Sequence, residues 1–182
     1  MANIDSIEEI EKIDQDGYLH NLQEFPEQCE RCWKDWKDIP LPTRFIQSKN
    51  ILITGMGGSN MGGALVSGLS RDFRIPVVIW RDYDIPGWVN KDTLVIAISF
   101  SGNTEETLDS FKKATEKTDK IVTIAQGGEL EILSRKYKTT HYKINYNGQP
   151  RSSFGFIFTS VLAVFSKLKL LELTEDDFLE AV

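Results

Sequence analysis

Cysteine is scarce: the 182 residues hold only Cys29 and Cys32. Two are too few for a disulfide framework and suit a reducing compartment, so a cytoplasmic setting is expected. Cys29-Glu-Arg-Cys32 has the spacing of a redox or zinc pair, but a tetrahedral site needs two more ligands and no other cysteine exists. Packing on an apolar helix face is the better reading. Histidine is equally sparse, with His20 in an acidic stretch and His141 in an expected strand, neither within a motif. No metal and no cofactor are called for. The longest nearly apolar stretch, Phe154 to Phe165, is far short of the roughly 20 residues a membrane helix needs. The opening MANIDSIEEIEK is acidic and lacks the apolar run of a signal peptide. No basic block is present, which speaks against a nucleic-acid partner.

The charge that is present is lopsided. Residues 1–38 carry 11 acidic and 4 basic side chains, leaving 16 acidic and 17 basic for the rest. An acidic arm therefore precedes a nearly neutral body, and any anionic ligand must be held by local geometry rather than a long-range field. In the arm, Ile4, Ile7, Ile10 and Ile13 have helical spacing, as do Phe25, Cys29, Cys32, Trp33 and Trp36 over 25–38. Pro40 and Pro42 end it. Short apolar runs follow at Ile51–Ile53, Val77–Trp80, Leu94–Ile98 and Lys120–Ile124, with a fifth expected over Thr139–Lys143. Helical patterns at about 60–71, 104–117, 129–136 and 153–168 alternate with them. Continuous apolar strands alternating with helices predict a five-stranded parallel sheet in a three-layer α/β/α sandwich, behind an N-terminal helical arm.

Two loops stand out. Gly55-Met-Gly-Gly-Ser-Asn-Met-Gly-Gly63 follows the first strand and opens a helix. Glycines let the backbone approach a ligand, and free amides at a helix start favour an anion. A dinucleotide GxGxxG would need glycine where Asn60 stands, although Asp82 could imitate its ribose-binding acid. A nucleotide P-loop would need a lysine that is absent. Tight strand-to-helix packing would also explain the glycines. The second loop, Ser99-Phe-Ser-Gly-Asn-Thr104, brings three hydroxyls around Gly102 at the start of another helix. Phosphate takes hydrogen bonds from such hydroxyls and amides without help from arginine. Capping by Ser101, or by Asn103 paired with Glu106, would account for one or two of these residues but not for all three hydroxyls.

Gly57-Gly-Ser59, Ser99-Phe-Ser-Gly-Asn-Thr104 and Gln149-Pro-Arg-Ser-Ser-Phe-Gly155, in that order, resemble the sugar isomerase (SIS) domain. More specifically they resemble the bifunctional phosphoglucose/phosphomannose isomerases, over about residues 45–170. The resemblance implies that Ser59, Ser99, Ser101 and Thr104 grip the phosphate of a sugar phosphate, with Gly58 beside the sugar. It implies that Arg151 stabilises the enediolate as glucose 6-phosphate or mannose 6-phosphate and fructose 6-phosphate interconvert. Without it, Arg151 would read as a surface residue ahead of a helix capped by Ser152 or Ser153.

The reaction needs a carboxylate base, and the resembled family keeps it in a second SIS domain, together with the histidine and lysine of ring opening. This chain is about half that length and shows one set of motifs. Glu105 and Glu106 adjoin the second loop but read as helix-start residues, whose charged form the helix dipole favours. The expected organisation is an arm at 1–42, an SIS domain at 43–172, and the start of a further helix at 173–182, with Thr174 as its cap. That helix either packs on another element or leads to a second domain. The helix at 153–168, apolar around much of its circumference, is expected to seek a homodimer partner or a second SIS domain. A stand-alone phosphosugar-binding regulatory module and a nucleotide-binding domain are the competing functions.

Overall fold

A computed structural model describes residues 5–69 and 73–182. Five strands form one parallel sheet: β1 (Asn50–Gly55), β2 (Val77–Trp80), β3 (Thr93–Ile98), β4 (Ile121–Ala125) and β5 (Thr140–Lys143), in the order β2-β1-β3-β4-β5. Alternate residues along the central strands β1, β3 and β4 enter two separate cores. Ile51, Ile53, Leu94, Ile96, Ile98, Val122 and Ile124 face one side; Leu52, Val95, Ala97, Ile121 and Ala125 face the other. All are buried, so both faces demand apolar residues and the strands lose any polar alternation.

Helices α4 (Met61–Gly68) and α7 (Phe154–Lys167) cover the first face with α3 (Phe25–Lys37), while α5 (Glu105–Thr115) and α6 (Gly128–Tyr137) cover the second. The three-layer parallel sandwich predicted from the alternating pattern is therefore present. The expected helix at 60–71 is seen over Met61–Gly68; residues 70 and 71 lie outside the described residues, as does Ile4 of the arm.

The arm contains α1 (Ile7–Ile13) and a short α2 (Tyr18–Gln23) that the sequence reading did not foresee. Asp14 builds it: its two carboxylate oxygens accept from the amides of Tyr18 and Leu19, each at 2.7 Å. Helix α3 is part of the main core, since Cys29, Cys32 and Trp36 are all but inaccessible. Both thiols are free, and burial pushes that of Cys32 up to about 12. They act as small apolar groups, as expected.

The apolar circumference of α7 is covered within the chain. Ten of its fourteen residues are buried against the sheet, α3 and α4, so it does not need an outside partner for its own burial. Exposed apolar residues lie instead along α4 at Met61, Leu65 and Leu69. The chain closes with α8 (Glu175–Ala181), capped by Thr174 as the sequence predicts, in a capping box with Asp177. Helix α8 packs on α3, with the rings of Phe178 and Trp33 stacked at 4.4 Å.

Candidate functional site

In this strand order the chain runs from β1 outward to β2 through α4, then crosses back to β3 on the other side of β1. The direction of winding therefore changes between β1 and β3, and helices leave these strands toward opposite faces. An open parallel sheet has its crevice at such a point, outside the carboxyl ends of the strands. Gly55 and Ile98 are register partners at the ends of β1 and β3, so the two loops singled out by sequence leave the sheet side by side.

The first loop forms a 3-10 turn, Gly57–Asn60, that feeds α4. Gly57 adopts φ +52°, and around Gly58 there is open space. Asn60 is fully buried and secures the turn by donating from Nδ2 to the carbonyls of Gly55 (2.7 Å) and Trp80 (3.3 Å). Ser59 is half-buried, and its Oγ accepts from the Phe100 amide at 3.1 Å. That bond ties the first loop to the second.

The second loop is organised around Ser99. This residue is fully buried; its Oγ accepts from the Gly102 amide (3.1 Å) and lies 2.9 Å from Thr104 Oγ1. Ser101 is exposed, and its Oγ accepts from the Asn103 amide at 3.2 Å. Thr104 occupies the N-cap position of α5 but makes no side-chain capping bond, because its hydroxyl is turned to Ser99. The N-terminus of α4 likewise has no side-chain cap. Two helix N-termini without side-chain caps thus adjoin a half-buried Ser59, an exposed Ser101 and a half-buried Thr104. Such an arrangement can receive a dianion through neutral donors.

The pairing of Asn103 with Glu106 considered from sequence is not made. Asn103 Oδ1 instead accepts from the Glu129 amide at 3.0 Å, supporting the start of α6. This belongs to a third loop, Gln126-Gly127-Gly128, which the sequence reading passed over. It presses on the second loop: the Leu130 amide donates to the Gly102 carbonyl at 2.9 Å. A Gly-Gly pair between a strand and a helix was the available signal.

The third motif forms a 3-10 turn, Pro150–Ser153, lying against the turn Gly57–Asn60. Arg151 is exposed on it. Ser152 and Ser153 are buried, and their hydroxyls donate back to the carbonyls of Gln149 (2.9 Å) and Pro150 (2.7 Å). They shape the turn rather than cap α7. The fold thus gathers Gly58, Ser59, Ser99, Ser101 and Thr104 at one crevice, with the Arg151 turn on its flank.

The two histidines stand apart from the crevice, whereas Glu105 borders it. His141 lies on β5, its Nδ1 2.8 Å from Thr123 Oγ1 and its Nε2 buried without a partner; burial holds its pKa below the ordinary value. His20 is in the arm beside Glu24. Glu105 accepts from the Tyr83 hydroxyl at 3.3 Å in the first turn of α5.

Residues 82–171 match the family model of the SIS domain. The bifunctional phosphoglucose/phosphomannose isomerase of Caldicellulosiruptor bescii is 42% identical over 133 residues, 72% of this chain and 39% of that protein. The protein of the same name from Aquifex aeolicus is 38% identical over 116 residues, 63% of this chain and 36% of its own length. The chain therefore spans well under half of these relatives. Among solved structures, tagatose-6-phosphate ketose/aldose isomerase from Escherichia coli superposes with a TM-score of 0.65 at 16% identity, over 83% of this chain and 47% of that one. Such a likeness shows a shared fold. With its three motifs gathered at the winding change of a five-stranded parallel sheet, this chain belongs to the SIS domain family.

Proposed function

We propose that this chain is the phosphosugar-binding half of a cytoplasmic aldose–ketose isomerase acting on glucose 6-phosphate or mannose 6-phosphate and fructose 6-phosphate. The observation that carries the reading is the crevice between β1 and β3, where hydroxyls and helix N-termini without side-chain caps converge. In a nearly neutral body this is the chemistry suited to a sugar phosphate. Ser59, Ser101 and Thr104 donate to phosphate oxygens. Ser99, fully buried, holds the loop in shape and donates to Thr104 Oγ1 while the Thr104 proton goes to phosphate. The open space at Gly58 admits the sugar.

Isomerisation removes the proton at C2 and passes through an enediolate, whose negative charge Arg151 stabilises from the flanking turn. A guanidinium stays charged throughout, so it supports the intermediate without trading protons. The carboxylate base and the ring-opening group come from a second SIS domain or a partner subunit. The exposed stripe Met61, Leu65 and Leu69 on α4 is a suitable surface for that association.

Fructose 6-phosphate raises the unfolding temperature of this chain and NAD does not, because only a ligand of the native state stabilises it. Loss of one hydrogen bond to a charged phosphate costs about 1.5–3 kcal/mol, so Ser101→Ala weakens binding roughly 10- to 100-fold. In the complete enzyme, Arg151→Ala lowers kcat by about 10²–10³ while KM changes little. Titration calorimetry and a coupled isomerase assay measure both. Binding by Ser101→Ala at wild-type strength rejects the cradle. Binding without turnover, even with the second half supplied, makes the chain a regulatory module instead.

A further inference from the structure

Gln28 is a polar side chain in an apolar seam. It lies on α3 facing α7, is 2% exposed, and shares that helix face with Cys29, Cys32 and Trp36. Its Nε2 donates to the Ser152 carbonyl at 2.7 Å, while its Oε1 is buried without a partner. Burying an amide with half its capacity unmet is costly, and leucine or methionine would fill the same space without that penalty. Packing alone does not explain glutamine here. The surroundings are also built around it: a Cβ added at Gly155 would lie 2.7 Å from Gln28 Cβ and 3.0 Å from its Oε1.

The acceptor it chooses is informative. Ser152 follows Arg151 directly, within the 3-10 turn Pro150–Ser153 that flanks the crevice. The same segment has two further ties to the arm. Gln149 Nε2 donates to Asp16 Oδ2 at 3.0 Å, and an Arg31 guanidinium nitrogen donates to the Asn145 carbonyl at 3.2 Å. The arm therefore grips the approach to the turn, its start and its end, and the buried bond is the one adjoining Arg151.

We infer that Gln28 is a positioning residue for Arg151, and that the N-terminal arm acts as a clamp setting the guanidinium against the crevice. The inference rests on the proposed function, which gives Arg151 its task. Displacing a charge by an ångström matters little for holding a phosphate elsewhere in the site. It matters much for stabilising charge that develops at one place. Gln28 should therefore affect recognition of the intermediate more than recognition of the substrate.

A five-carbon aldonate 5-phosphate carries a carboxylate where the enediolate bears its charge, and so reads Arg151 without turnover. Its dissociation constant and that of fructose 6-phosphate are measured by calorimetry, with unfolding temperatures, for the wild type, Gln28→Met, Asp16→Ala, Arg151→Ala and the Gln28→Met/Arg151→Ala double variant. The wild type prefers the aldonate. Arg151→Ala loses about tenfold or more of that preference. Gln28→Met loses at least about threefold, with fructose 6-phosphate binding and unfolding temperature nearly unchanged. The double variant is no worse than Arg151→Ala alone, because the two residues act in series. Asp16→Ala cuts an exposed tie and shifts the preference the same way, which keeps the test decisive if Gln28→Met does not fold. Full preference in Gln28→Met, or in Asp16→Ala where Gln28→Met does not fold, overturns the clamp alone. Additive losses in the double variant also overturn it. A wild type that binds neither ligand overturns the proposed function itself. Equal binding of the two removes the task given to Arg151 and the clamp with it.

Discussion

Gly102 sits at φ +73°, and a Cβ built on it would lie 1.8 Å from the Gly127 carbonyl oxygen. Two independent demands thus fall on one residue: a left-handed backbone, which side chains disfavour by about 1–3 kcal/mol, and contact with a neighbouring backbone that cannot yield without moving its own loop. Gly102→Ala should separate the second loop from Gln126–Gly128, lower the unfolding temperature and abolish the protection that the proposed function expects from fructose 6-phosphate. Thermal unfolding with and without that ligand checks both, and wild-type protection would sink the account. The sequence makes the first demand legible, since a glycine among hydroxyls reads as a sharp turn. The second is a tertiary contact and leaves no local trace. Asn103 shows the same boundary. Spacing suggests a bond within its own helix, yet its Oδ1 goes to Glu129, 26 positions away. Gln28 is fainter still, for nothing in an amphipathic helix marks which buried amide reaches a remote turn.

Elements whose signals are local were read well. All five strands appear where they are predicted; for β1, β3 and β4 the signal is an apolar run, because a strand buried on both faces has no alternative composition, whereas the edge strand β5 is half polar. Helix α2 escaped because its N-cap, Gly17 at φ +64°, has no capping side chain, and the carboxylate that caps it belongs to Asp14, three residues outside the usual position. Helix α8 was legible at its cap but not in its docking. Its Thr174 accepts from the Asp177 amide, and the Asp177 carboxylate accepts from the Thr174 amide, so Thr174→Ala should cost about 1 kcal/mol. Phe178 is 3% exposed and stacks on Trp33, so Phe178→Ala should cost about 3 kcal/mol, as for other buried rings. Urea unfolding of the two variants orders them. A larger loss for the cap than for the ring would mean that α8 contributes through its own helicity rather than by covering α3.

Across the whole molecule, pH separates two kinds of buried or paired charge. His141 belongs to the first. Burial depresses it below the ordinary 6.5, against the pull of Glu131, and Thr123 holds its Nδ1 within the sheet. The unfolded chain therefore takes up a proton near pH 6.5 that the native chain refuses. By linkage, stability is complete above that value and falls as pH drops toward the depressed native value. The second kind comprises Asp92, Asp109, Glu131 and Asp177. Hydrogen bonds hold all four below the usual carboxylate range, the Asp84 amide foremost for Asp109 and Lys143 for Glu131. Their contribution is present above about pH 4 and is lost as pH falls through their lowered native values. The unfolding temperature should thus be level from pH 8 to 7, decline below about 6.5, and decline again below about 4. His141→Gln keeps a hydrogen-bonding partner for the Thr123 hydroxyl but cannot titrate, so it should flatten the upper decline and leave the lower one in place. If the upper decline persists in His141→Gln, or is missing from the wild type, the imidazole is not the uncharged, half-buried group that the β4–β5 geometry describes.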